Sequence, residues 1–149
     1  MYYEQLEQLF CDSTGYKYAV AVNSGTAALH LSLLAIGARP GTEIIVPDFT
    51  FASCAFAVTY CGATPIFVDC DDRLCIDTTK IEEAITPNTI AIMPVHVYGR
   101  RCDMDAIRAI AEKHNLAVLE DLSEAHGVQP VGDIAIFSFQ ATKIIHAQE

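Results

Sequence analysis

Four short stretches put chemically capable side chains at the ends of apolar runs. DIAIFSFQATK (Asp133–Lys143) alternates as a strand does, then delivers Ser138 and, five positions on, Lys143. AVLED (Ala117–Asp121) ends in a carboxylate, and EIIVPDFTF leads into an aromatic ring, Phe51. AVAVNSGTAAL runs into Ser24, Gly25 and Thr26. A lysine attacks a carbonyl to form a Schiff base where desolvation or nearby positive charge keeps its amine neutral. A carboxylate can hold a ring nitrogen protonated. A glycine at a helix start lets the backbone approach an anion, and the free N–H groups there favour one. Each group also has an ordinary role open to it. Ser24 suits a helix cap, Asp121 a locally satisfied carboxylate and Lys143 a solvated surface charge.

The elements that must position these groups follow a repeating order. AVAVN (Ala19–Asn23) reads as a strand, followed by GTAALHLSLLAIG as a buried helix ending at Gly37. EIIVP (Glu43–Pro47) is the next strand, FASCAFAVTYCG a helix ending at Gly62, and TPIFVD (Thr64–Asp69) a third strand. Asp77 is a good N-cap for TTKIEEAIT, and Asp103 for MDAIRAIAEKHN, because their side chains take up orphan helix N–H groups. TIAIMPVHVYG (Thr89–Gly99) reads as a long apolar strand with a loop, and DIAIFSF (Asp133–Phe139) as the last strand. A weakly amphipathic helix, roughly Tyr2–Ser13, opens the chain and could cover the sheet or contact a partner. Apolar runs with little alternation suggest strands buried on both faces. Alternating strands and helices then imply an α/β fold, a mostly parallel sheet with helices on both faces. In such a sheet, ligands sit beyond the carboxyl ends of the strands, where all the groups above are delivered.

The 149 residues are enough for one domain with a real core. Apolar residues make up 52% and charged residues 19%, a composition for an ordered chain. The net charge of −10, without a basic cluster, argues against nucleic-acid binding. It leaves phosphate binding open, because backbone N–H groups hold phosphate without net positive charge. The six cysteines form no C-x-x-C pair and no zinc-site spacing, so they read as free thiols in a reducing compartment. MYYEQLEQLF lacks a signal pattern, and no apolar run reaches the ~20 residues that span a bilayer. The expected location is cytoplasmic, with no membrane partner.

Each motif is weak alone, but their order is specific. AVAVNSGTAALHLSLLAIGARPGTEIIVPDFTF, GATPIFVDCD, MPVHVYGRRCDMDAI, LEDLSEAHG and GDIAIFSFQATK together make the chain resemble the DegT/DnrJ/EryC1/StrS family of pyridoxal 5'-phosphate (PLP) sugar aminotransferases, which have the aspartate-aminotransferase fold. The resemblance implies that residues 1–149 are the N-terminal part of the PLP-binding large domain, with the small C-terminal domain absent. It implies amino transfer, usually from glutamate, to a keto group on a nucleotide-linked deoxysugar, in a homodimer. By the same resemblance Lys143 is the lysine bonded to the cofactor and moving protons, and Asp121 the partner of the pyridinium nitrogen. Phe51 is the ring stacked on the cofactor. Ser24, Gly25 and Thr26, with Ser138, form the phosphate cradle, and Glu124 contacts the cofactor's ring oxygen. His96 and His126 match family positions but receive no chemical role; both are expected to be polar groups satisfied near strand ends. A related dehydrating branch of the family carries histidine in place of the lysine, and Lys143 argues against it.

Two departures from the family pattern matter. Only VQPV separates His126-Gly127 from Gly132-Asp133, where relatives carry a longer loop. Relatives also continue far beyond residue 149, with an antiparallel strand lying between the first and the last strand read here. The expectation is therefore the N-terminal part of a longer protein, or the product of a truncated gene. A catalytically inactive relic or a PLP-binding regulatory module is the alternative. A desulfurase or amino-acid aminotransferase of the same fold is disfavoured by VHVYG and DFTF.

Overall fold

The computed structural model describes residues 2–147. Among them, five strands form one parallel sheet in the order β2-β1-β3-β4-β5, and every paired neighbour runs parallel. The strands are β1 (Glu43–Pro47), β2 (Thr64–Val68), β3 (Thr89–Ile92), β4 (Ala117–Asp121) and β5 (Ile134–Ile136). The helices are α1 (Tyr2–Thr14), α2 (Gly25–Ala35), α3 (Ser53–Tyr60), α4 (Thr78–Ala84) and α5 (Met104–His114). No helix among the described residues is long and apolar enough to cross a membrane.

The period of two along each strand sends alternate side chains to opposite faces. Ile44 and Val46 of β1 join Ala91, Leu119 and Ile136 under α2 and α3, where Leu29, Leu33, Cys54, Ala57 and Val58 are buried. Ile45 of β1 goes the other way, with Ile92 and Val118, under Ile81 of α4 and Met104, Ile107 and Ala111 of α5. Helices thus cover both faces. That two-sided burial is why EIIV and AVLE carry so few polar positions. Asp77 and Asp103 cap α4 and α5, accepting from Thr79 N and Ala106 N at 3.0 and 3.1 Å. Asn115, in the left-handed region at φ 54°, ends α5.

Three expectations change. Residues 19–23 form no strand: they pair with no neighbour, the Ala21 N–H bonds instead to Glu7 of α1 at 2.8 Å, and Tyr18 and Val20 are exposed. A short β-branched run does not make a strand where no ladder partner accepts its backbone groups. The long strand at Thr89–Gly99 stops at Ile92. Pro94 has no N–H to give, and the chain turns through a short 3-10 segment, Val97–Gly99, with Tyr98 at φ 54°. The last strand is three residues long, because its partner β4 ends at Asp121, opposite Ile136. Ser138 therefore lies just past the strand, not on it.

α1 lies over that end of the sheet. Phe10 packs edge-on against Phe137 and Phe139 at 5.0 and 5.7 Å between ring centroids. Gln129 donates to Thr14 O at 2.7 Å, and Tyr16 donates its hydroxyl to Gly132 O at 2.7 Å.

Candidate active site

The carboxyl ends of β1, β4 and β5, the 3-10 turn after β3 and the start of α2 face one rim, and the singled-out residues collect there in two linked groups. In the first, Ser24 caps α2 by accepting from Ala27 N at 3.1 Å, so its ordinary role as a cap is filled. Gly25 and Thr26 follow in the first turn, where N–H groups have no partner within the helix. Gly25 sits tight against the end of the sheet. A Cβ placed on it would come to 3.1 Å from Ser138 Cβ, 3.3 Å from Ser138 Oγ and 3.5 Å from Ser123 Oγ. Ser138 is buried, and its carbonyl lies 2.9 Å from His126 Nε2.

Asp121 is the last residue of β4 and is 4% exposed. Its Oδ1 accepts from Ser123 N at 2.8 Å and its Oδ2 from the Cys54 thiol at 3.3 Å. Thr50 Oγ1 lies 3.2 Å from the same sulfur. Burial, and then the Asp121 charge, push the Cys54 thiol far up, so it stays protonated and a donor.

The second group surrounds Lys143. Its Nζ donates to Glu124 Oε1 at 3.2 Å and lies 5.7 Å from the centroid of the Phe51 ring. The other Glu124 oxygen accepts from Tyr98 N at 3.0 Å, at the left-handed turn. Phe51 is 72% exposed, an apolar ring turned to the rim rather than into the core. The loop Asp121–Glu124 joins the two groups on one side, and the sequential pair Thr50-Phe51 on the other.

Behind the rim lies a network that motif reading did not find. Glu120, fully buried, accepts from Val131 N at 2.6 Å and from Gly132 N with the same oxygen, and its other oxygen faces His96 Nε2 at 2.9 Å. His96 is satisfied, as expected. His126 is satisfied on one side only, since its Nδ1 is buried without a partner. Burial pushes the Glu120 carboxyl up, but His96 and the Gly132 and Val131 N–H groups outweigh it and hold the group below the usual carboxylate range. Gly132 admits no side chain: a Cβ there would meet Val118 O at 2.9 Å and Glu120 Oε1 at 3.0 Å. The short VQPV turn is thus fastened to β4 from within. Its signal in the sequence was the glutamate next to Asp121 and the glycine after the turn.

Lys143, the buried Asp121 and Gly25 packed on Ser138 thus lie at the strand ends of a parallel α/β sheet, where such sheets bind ligands, and that placement alone defines only a broad class. The comparisons narrow it: the chain belongs to the DegT/DnrJ/EryC1/StrS aminotransferase family, whose profile matches residues 1–149. The family is PLP-dependent. The chain is 50% identical to the GDP-perosamine synthase of Caulobacter vibrioides, over 97% of this chain and 41% of that one. It is 48% identical to the spore coat polysaccharide biosynthesis protein SpsC of Bacillus subtilis, over 94% and 38%. The crystal structure of NtdA from Bacillus subtilis, with bound cofactor PMP, superposes with a TM-score of 0.96 at 40% identity, covering 99% of this chain and 35% of that one. The chain spans about two fifths of the length of the curated relatives it matches.

Proposed function

We propose that this chain is the N-terminal part of the PLP-binding large domain of a sugar aminotransferase. It moves an amino group, from glutamate, to a keto group of a nucleotide-linked deoxysugar. The observation that carries the reading is the meeting of Lys143 with Glu124 and Phe51 on the loops that also hold Asp121. The residues fit the cofactor. The space beside Gly25 is one a Cβ would narrow against Ser138, as expected of a cradle in which backbone and hydroxyl groups approach a phosphate.

PLP, when bound, supplies an electron sink for carbanion chemistry. The residues do the rest. The Gly25 and Thr26 N–H groups, next to the Ser24 cap, with the Ser138 hydroxyl, hold the phosphate. Asp121 keeps a ring nitrogen protonated from its buried position, where an ionised carboxylate and a cation stabilise each other strongly. Phe51 covers one ring face. Lys143 would hold the cofactor through its ε-amine and, once released from it, would be the base placed to take up and return a proton at the reacting carbon. Glu124 contacts the ring oxygen, and its hold on both Lys143 and Tyr98 N places it beside the reacting amine. A homodimer in the cytoplasm is part of the same reading, and six unpaired thiols suit a reducing compartment.

The test is turnover. The protein is incubated with PLP, glutamate and a keto-sugar nucleotide, and 2-oxoglutarate is measured against Lys143→Ala. Amino transfer that the substitution abolishes is expected. Cofactor capture without transfer would favour a binding or regulatory module instead.

A further inference from the structure

Cys54 enters neither the motifs nor the roles proposed above, yet its thiol hydrogen-bonds the Asp121 carboxylate. It sits in the first turn of α3, wholly buried, directly after the loop that presents Phe51. Its thiol reaches Asp121 Oδ2 at 3.3 Å, while Ser123 N holds Oδ1 at 2.8 Å. The two donors come from different elements and grip both oxygens, which fixes the plane of the carboxylate. A carboxylate has about four lone-pair sites. Two are taken here, and the others remain for a donor from the rim. Thr50, 3.2 Å from the sulfur, in turn limits the thiol's rotation.

We propose that Cys54 is a positioning residue: its thiol orients the Asp121 carboxylate toward the ring nitrogen of the bound cofactor. The inference rests on the reading of Asp121 given above. The thiol suits this task. Held protonated by burial and by the Asp121 charge, it donates throughout the working pH range and adds no second negative charge beside the carboxylate. The arrangement also ties the α3 loop to the end of β4, so that the Phe51 ring and the Asp121 carboxylate are set by one contact.

The experiment compares affinity for PLP with affinity for 1-deazapyridoxal phosphate, which keeps the aldehyde and phosphate but has CH in place of the ring nitrogen. Equilibrium dialysis is run on the wild type, Cys54→Val, Cys54→Ser and Asp121→Asn. Cys54→Val is expected to weaken PLP binding about fivefold, the effect of one lost hydrogen bond, and to leave the deaza analogue unchanged. Cys54→Ser, which restores a donor, is expected to recover the preference. Equal weakening of both probes, or no weakening, overturns the proposal and leaves Cys54 a packing residue. If Asp121→Asn keeps the preference for PLP, the reading of Asp121 itself falls. If Asp121→Asn loses the preference while Cys54→Val keeps it, only the role of Cys54 falls. Should Cys54→Val not fold, Cys54→Ala removes the same donor without added bulk and is read in the same way.

Discussion

His96 donates to Glu120 across a fully buried gap of 2.9 Å, and the direction is set from the far side of the ring. Nδ1 accepts from Cys102 N at 3.1 Å and therefore carries no proton, so the proton sits on Nε2 and points at the carboxylate. A neutral imidazole thus bridges the loop after β3 to the end of β4. The same carboxylate clamps the turn at Val131 and Gly132.

Glu120→Ala leaves two backbone donors and an imidazole N–H buried without an acceptor. Leaving a buried donor without its acceptor costs about 1–3 kcal/mol. The expected outcome is a fall of that size in unfolding free energy by urea titration, with the visible helix content kept at zero denaturant.

Acid dependence follows from the same group. Its folded value lies below the usual carboxylate range, so the unfolded chain binds the proton first as pH falls. The stability Glu120 contributes is present at neutral pH and is lost as pH drops through the lowered folded value. Glu120→Gln removes that dependence. The gap in urea midpoint between wild type and Glu120→Gln is expected to narrow between pH 7 and pH 3.

Tyr16 behaves in the opposite sense. Burial, then the charges of Glu120 and Asp133, raise its phenol to about 12, and its hydroxyl donates to Gly132 O. That contribution is complete below the ordinary tyrosine value and disappears as pH rises through about 12. Tyr16→Phe is expected to cost about 1 kcal/mol at pH 7, read from urea midpoints, because one hydrogen bond is lost.

The sheet was legible where burial on both faces leaves an unbroken apolar run, as in EIIVP and AVLED, and where an aspartate caps a helix, as at Asp77 and Asp103. Residues 19–23 were not, because a short β-branched run reports side-chain type and says nothing about a ladder partner. Asp121 and Ser138 stood out in the sequence because each follows an apolar run, and the structure places both, buried, at the carboxyl side of the sheet. Cys54 and Glu120 were missed for a common reason. Their partners, Asp121 and the Val131-Gly132 turn, come from other elements, 67 positions from Cys54 and 11 and 12 from Glu120, and no local spacing encodes those contacts.

Gly25→Ala tests the cradle. A methyl group there would sit 3.1 Å from Ser138 Cβ, so the serine must give way by a few tenths of an ångström. The expected outcome is PLP affinity weakened about tenfold, or about 1.4 kcal/mol, measured by dialysis. An unchanged affinity would place the phosphate elsewhere.

Lys143 is the proposed point of attachment of the cofactor. The direct measurement is reduction of the PLP-treated protein with borohydride, followed by peptide mass spectrometry. Reduced pyridoxyl phosphate is expected on the peptide carrying Lys143, lost when Lys143→Ala is treated in the same way. Label on Lys17, Lys80 or Lys113 instead, or label that survives the substitution, would contradict it.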